Sequence, residues 1–207
     1  PGGRAGRRAR GSGRSVTEPR QLPLPLPPRS ALGRDDYFVS EANATLVAQV
    51  DAWRSWPNGK LVLVGLQGSG KTHLAHVWAR QSGARFATAH ALAPADLPAL
   101  SAGPVCVEDV PKLAGDPEAE RALFHLHNLT TQAGNPMLLT ADRPPAQWGL
   151  GLPDLTSRMM ALHVAMIPRP DDALLGAVLA KLFADRRSVP ARDVIPYLVR
   201  HMPRSFD

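Results

Sequence analysis

The sequence predicts an α/β fold: a parallel sheet with helices on both faces, followed by a purely helical C-terminal segment. Three observations predict it. Short apolar runs of strand length alternate with helical patterns, the rhythm of a buried parallel sheet. A glycine-rich loop joins the first of these runs to the helix behind it. Beyond Pro168 and Pro170 the strands stop and only i, i+4 seams remain. With 44% hydrophobic residues among 207, the chain has enough apolar surface for the core of one ordinary domain.

The first 20 residues form a basic tail, expected to be disordered. Six arginines and one glutamate fall there, so only +1 of the net charge of +6 is left for the rest. A nearly neutral globular part gives no support to a specific DNA-binding surface. Residues 21–31 read as an extended arm. In Gln21-Leu22-Pro23-Leu24-Pro25-Leu26 the leucines alternate with prolines, which hold the backbone extended. Such an arm suits a groove on a partner, because little ordering entropy remains to be lost. A linker packed on its own domain fits the composition equally well. No signal-peptide pattern and no apolar run of the roughly 20 residues that a membrane helix needs is visible. The expected compartment is the cytoplasm, and Cys106 reads as a small core residue.

A first helix is expected over Ser40–Trp53, with Leu46, Val47, Val50 and Trp53 on one face. Leu61–Val64 is the first strand, and Gly65–Thr72 (G-L-Q-G-S-G-K-T) fits the phosphate-loop pattern G-x-x-x-x-G-K-S/T. Gly65, Gly68 and Gly70 let successive N–H groups of the loop, Ser69 among them, turn toward a phosphate at the helix N-terminus. Lys71 adds charge toward the β- and γ-phosphates, and Thr72 a hydroxyl for Mg²⁺. His73 opens the helix behind them, with Leu74, Val77 and Trp78 at helical spacing.

Further strands are expected at 85–89, 105–107, 137–140 and 162–166. A short helix is expected at 96–100, and a longer one opens on Asp116-Pro117, an N-cap followed by a first-turn proline. Glu108 and Asp109 end the third strand, where two acids beside a phosphate loop can hold Mg²⁺ and polarise a water. Asp142, at the end of the fourth, either senses the γ-phosphate or is an ordinary turn aspartate. Arg158 and Arg204 lie on short polar stretches and by themselves read as solvated side chains. Residues 174–183 and 194–199 form two helical seams, and Pro203 opens a third that is expected to be incomplete at Asp207.

The series G-S-G-K-T-H-L, V-E-D-V, T-A-D-R-P-P and D-L-T-S-R-M, followed by a helical lid, resembles the AAA+ ATPases. L-F-H-L-H-N (123–128) and L-G-L-P-D-L-T-S-R (150–158) narrow the resemblance to the replication initiator DnaA and its Hda-type (HdaA-like) regulatory homologues. It covers about residues 21–207. It implies an AAA+ nucleotide-binding base over 32–167, a partial lid over 168–207, and ADP or ATP with Mg²⁺ as cofactors. Asp142 then falls at sensor 1, Arg158 at the arginine finger, and Arg204 at sensor 2. Tyr37, Phe38 and Val39, with Asn43, resemble the segment near the adenine. Gln21, Leu22, Leu24, Pro25 and Leu26 resemble the hexapeptide that binds the DNA polymerase sliding clamp.

The implied partners are that clamp and the DnaA initiator, with self-association as a further contact. The implied role is to promote hydrolysis of DnaA-bound ATP, preventing re-initiation of chromosome replication, with weak turnover of its own. Glu108 stands where Asp is usual, and Asp154 where the initiator carries an additional arginine. Residues 91–103 are too few for the initiator's pair of DNA-contacting helices. A DnaA-type initiator ATPase domain and a helicase loader are the alternatives, as is a clamp-tethered adaptor that holds ADP without turnover.

Overall fold

The computed structural model describes Gly2 and residues 37–205. The chain divides into two compact units, Pro1–Ser30 and Ala31–Asp207, and the fold below is that of the second. The expected tail and the arm with Gln21, Leu22, Leu24, Pro25 and Leu26 lie outside the described residues.

Five strands, β1 (Lys60–Val64), β2 (Arg85–Thr88), β3 (Val105–Glu108), β4 (Met137–Ala141) and β5 (His163–Met166), form one sheet in the order β2-β3-β4-β1-β5. All four pairings are parallel. A parallel sheet needs helical crossovers, and after a first helix α1 (Ala44–Asp51) ahead of β1 they come from α2 (Lys71–Ser82), α3 (Leu97–Ser101), α4 (Pro117–Gln132) and α5 (Pro153–Met160). Two more helices, α6 (Asp172–Asp185) and α7 (Val194–His201), follow β5.

At the central strands β1, β3 and β4 both faces of the sheet are buried, which explains their continuous apolar runs. In β1, Val62 and Val64 join one core cluster, with Val107, Leu139, Leu123 and Leu126 of α4, Trp148, and Leu155 and Met159 of α5. Leu61 and Leu63 join the other, with Cys106, Leu138, Leu46 and Val50 of α1, and Leu74 and Trp78 of α2. Trp56 stacks on Trp78 there, with ring centroids 5.4 Å apart. Each large side chain buried in this way contributes roughly 1.5–3 kcal/mol.

Two expected elements differ. The first helix begins at Ala44, not Ser40, because Asn43 builds a turn ahead of it. Asn43 Oδ1 accepts from Ser40 N–H at 2.8 Å, and Asn43 Nδ2 donates to the Phe38 carbonyl at 3.0 Å. Trp53 falls in a separate 3₁₀ turn, Trp53–Ser55, past the helix end. The chain from Pro203 to Ser205 is not helical. The N-cap at Asp116 is as expected: one carboxylate oxygen accepts from Glu118 N–H and Ala119 N–H at 3.0 and 3.1 Å.

Candidate functional site

The phosphate loop leaves the carboxyl end of β1 and closes on α2. Gly68 and Gly70 have φ of +66° and +85°, the left-handed region that glycine enters without strain. Gly65 is required for a different reason. A Cβ there would lie 2.4 Å from Ser69 Oγ and 3.0 Å from Ile167 Cβ. The Lys71 ammonium donates to the carbonyls of Gly65 and Leu66 at 2.6 and 2.8 Å, so it sits across the loop. Ser69 Oγ is buried with no hydrogen-bond partner. A buried polar atom of that kind is costly unless something completes it. The donors gathered here, an ammonium, a hydroxyl and the first amides of α2, are the chemistry an anionic phosphate needs. Thr72 is exposed at the start of α2. His73, one residue on, faces Tyr37, with ring centroids 5.5 Å apart. Phe38 and Val39 stand exposed at 46% and 41% beside it in sequence, on the turn that Asn43 fixes. Asn43 itself is buried, and its amide is committed to that turn.

Because the strands are parallel, Glu108, Asp109 and Asp142 share the carboxyl edge of the sheet with the loop. The two acids of β3 separate there. Glu108 Oε1 is buried without a hydrogen-bond partner. Asp109 has a left-handed backbone (φ +58°), donates its N–H to Thr140 Oγ1 at 3.0 Å, and gives its carboxylate to Lys112 at 2.6 Å. That contact raises the Lys112 amine above its ordinary value. Glu108 therefore fits a Mg²⁺ ligand better than Asp109 does. Among the described residues no group of three or more His, Cys, Asp or Glu could hold a metal. A Mg²⁺ at Glu108 would take its other ligands from phosphate, water and the Thr72 hydroxyl. Asp142 is exposed and pairs with Arg143 at 3.2 Å. Arg204 reaches back to the start of α6, with 2.6 Å to Asp172 Oδ1, and to the segment before it, with 3.2 Å to the Pro170 carbonyl. Pro170 lies three residues beyond Ile167, which borders Gly65.

Arg158 is elsewhere. It is in the last turn of α5, and five residues later His163 pairs with Leu61 near the start of β1. Arg158 and Lys60, the first residue of β1, both act on the His127 imidazole. Burial first, then these two cations, lower the His127 pKa to about 4. Arg158 thus lies toward the amino edge of the sheet, and its own phosphate loop at the carboxyl edge. Five strand residues separate the two edges, about 16 Å. The guanidinium is exposed, lies 4.9 Å from the Phe124 ring centroid, and has no carboxylate partner among the described residues.

Two features escape the sequence patterns. The helix α5 occupies a stretch that reads as polar loop, although Pro153 at its first turn and Leu155 with Met159 at i, i+4 were available signals. Glu120 reads as an exposed helix residue, yet it is 2% exposed and accepts three backbone N–H groups. No local signal encodes that.

The phosphate loop after β1, the acid-tipped β3 on the far side of β4 and the strand order define the P-loop AAA+ ATPase fold. Within that class the chain resembles the third domain of DnaA. Domain III of the Thermotoga maritima replication initiation protein DnaA superposes with a TM-score of 0.72 at 19% identity, over 88% of this chain and 85% of that one. A DNA replication initiation factor gives 0.71 at 19% identity, over 86% of this chain and 61% of that one. AMPPCP-bound DnaA from Aquifex aeolicus gives 0.69 at 19% identity, over 86% and 62%. The chain thus spans about three fifths of these last two proteins. No protein-family model matches the chain. Among the described residues no helix is long and apolar enough to cross a membrane.

Proposed function

We propose that this chain is a DnaA-related AAA+ regulator that promotes hydrolysis of ATP bound to the DnaA initiator, tethered to the DNA polymerase sliding clamp. In this reading it holds ADP or ATP in its own loop. Lys71 and the amides from Gly68 to Thr72 bind the phosphates, Ser69 Oγ gains a partner, and Tyr37 with His73 flanks the base. Glu108 and Thr72 would hold Mg²⁺, which supplies charge neutralisation at the phosphates. Arg204 approaches from the helices after β5. Residues 32–167 act as the nucleotide-binding base and 168–207 as the lid. Asp109, engaged by Lys112, is poorly placed to serve hydrolysis, which supports weak turnover by the chain itself. The arm carries clamp binding through Gln21, Leu22, Leu24, Pro25 and Leu26.

The observation that carries the reading is Arg158. It is exposed, seated on an aromatic ring, without a carboxylate partner among the described residues, and a strand length away from its own loop. A guanidinium so placed suits an anion outside the chain. Supplied to a partner's nucleotide, it stabilises charge on the transferring phosphoryl group, worth about 10³–10⁵ in rate. That corresponds to roughly 4–7 kcal/mol of barrier. A DnaA-type initiator ATPase domain is the alternative. The connection from β2 to β3 supports the regulator, since its only α-helix is α3, five residues long. The test is a reconstituted hydrolysis assay with ATP-loaded initiator and clamp-loaded DNA. Arg158→Ala is expected to bind ADP and the clamp normally and to lose stimulation. Stimulation within about threefold of wild type would leave the assignment without support.

A further inference from the structure

We propose that Glu120 and Phe124 of α4 are positioning residues that mount Arg158 for its action on a partner. The proposal rests on the reading of Arg158 above. Glu120, Phe124 and His127 recur at i, i+4 and i+7, so α4 turns one face toward α5. At the top of that face the Glu120 carboxylate is buried and collects three backbone donors. Its Oε1 accepts from Gly151 N–H at 3.0 Å and Gly115 N–H at 3.3 Å, and its Oε2 accepts from Leu152 N–H at 2.8 Å. Leu152 is the N-cap residue of α5 and has no side-chain oxygen to cap with. The carboxylate of a neighbouring helix therefore pins the point where α5 begins. One turn further along α4, the Phe124 ring lies under the Arg158 guanidinium at 4.9 Å.

The two contacts fix different degrees of freedom. Glu120 sets where α5 starts, and so the height and azimuth of its last turn. Phe124 sets the direction of the guanidinium without neutralising it, which a carboxylate partner would do. Six residues of helix carry the chain from the pinned Leu152 to Arg158, a rigid lever of about 9 Å.

The test uses the full chain with ATP-loaded initiator and clamp-loaded DNA, reading maximal stimulated rate and half-stimulating concentration separately. Glu120→Gln turns an N–H₂ group toward at least one of the three donors. It is expected to lower the maximal rate by about tenfold or more. The half-stimulating concentration and ADP affinity should stay within about twofold of wild type. A purely structural loss would reduce the active fraction and move the half-stimulating concentration instead. Phe124→Leu is expected to lower the maximal rate by about threefold or more, and Phe124→Tyr to restore it. Neither change should have any effect in an Arg158→Ala background. If Arg158→Ala abolishes stimulation but Glu120→Gln and Phe124→Leu do not lower the maximal rate, the positioning role is overturned and the reading of Arg158 stands. If Arg158→Ala leaves stimulation intact, both fall. Should Glu120→Gln lose its cooperative melting transition, the Phe124 pair decides by the same criteria.

Discussion

Replacing Lys60 with methionine is expected to stabilise the fold at pH 7. Lys60 opens β1 and is 1% exposed, yet among the described residues its ammonium makes a single, long hydrogen bond, 3.5 Å to the Asn58 carbonyl. Burial lowers its pKa from 10.5 to about 8. The unfolded chain therefore binds more protons than the folded one between those two values. The penalty is fully present below about pH 8, shrinks as pH rises, and is gone above about 10.5. That gap corresponds to about 3 kcal/mol at pH 7. Methionine keeps the length of the side chain and removes the charge, at the expense of one weak hydrogen bond worth about 1 kcal/mol or less. The net gain is about 2 kcal/mol. Urea denaturation of both proteins at pH 7 and pH 10 measures it, and the difference should shrink markedly at the higher pH. A methionine variant less stable than wild type at pH 7, or a difference independent of pH, would refute the reasoning.

Three other outcomes are expected. Lys71→Ala should abolish ADP and ATP binding in calorimetry, since it removes the charge that bridges the loop carbonyls. Undiminished affinity would rule the loop out as the site. Glu108→Gln should keep Mg²⁺-free ADP binding and lose about tenfold of the gain in ATP affinity that Mg²⁺ provides; an unchanged gain would remove Glu108 from the metal site. Replacing Gln21, Leu22 and Leu24 with alanine should eliminate clamp binding in surface plasmon resonance, a contact of roughly micromolar affinity, on the order of 8 kcal/mol. Wild-type binding by that triple variant would make the arm a linker.

The parts of the fold legible in the sequence are those governed by local physics. Continuous apolar runs mark β1, β3 and β4 because both sheet faces are covered, and the spacing of Gly65, Gly68 and Gly70 marks the loop because only glycine meets its backbone and steric demands. Asp116-Pro117 announces α4 through its own carboxylate. What stayed hidden is long-range or conformational. Glu108 and Asp109 are equivalent as letters, and a left-handed backbone at Asp109 sends one carboxylate to Lys112 while Glu108 keeps a buried, unpartnered oxygen. Asn43 was legible as a residue of interest, but its amide is committed to the turn that carries Tyr37, Phe38 and Val39. Glu120 meets backbone groups 31 and 32 positions away, a contact that leaves no trace in periodicity.

The placement of Arg158 bears on whether it acts within its own chain. In a parallel sheet every phosphate-loop element gathers at the carboxyl edge, and a helix that leads into a strand delivers its last turn to the amino edge. α5 leads into β5, so its last turn faces away from Gly65 to Thr72 by the length of β1, about 16 Å. An extended arginine side chain spans less than half of that. Rotamer changes at Arg158 cannot close such a gap, and α5 is pinned at its start by Glu120, so the helix is not free to swing. The guanidinium therefore serves either water or an anion on another molecule. A solvated arginine has no need of an aromatic seat or of a buried carboxylate fixing its helix, and both are present. Under the proposed function, the two edges of one sheet serve two different nucleotides, one held in the chain's own loop and one presented by a partner.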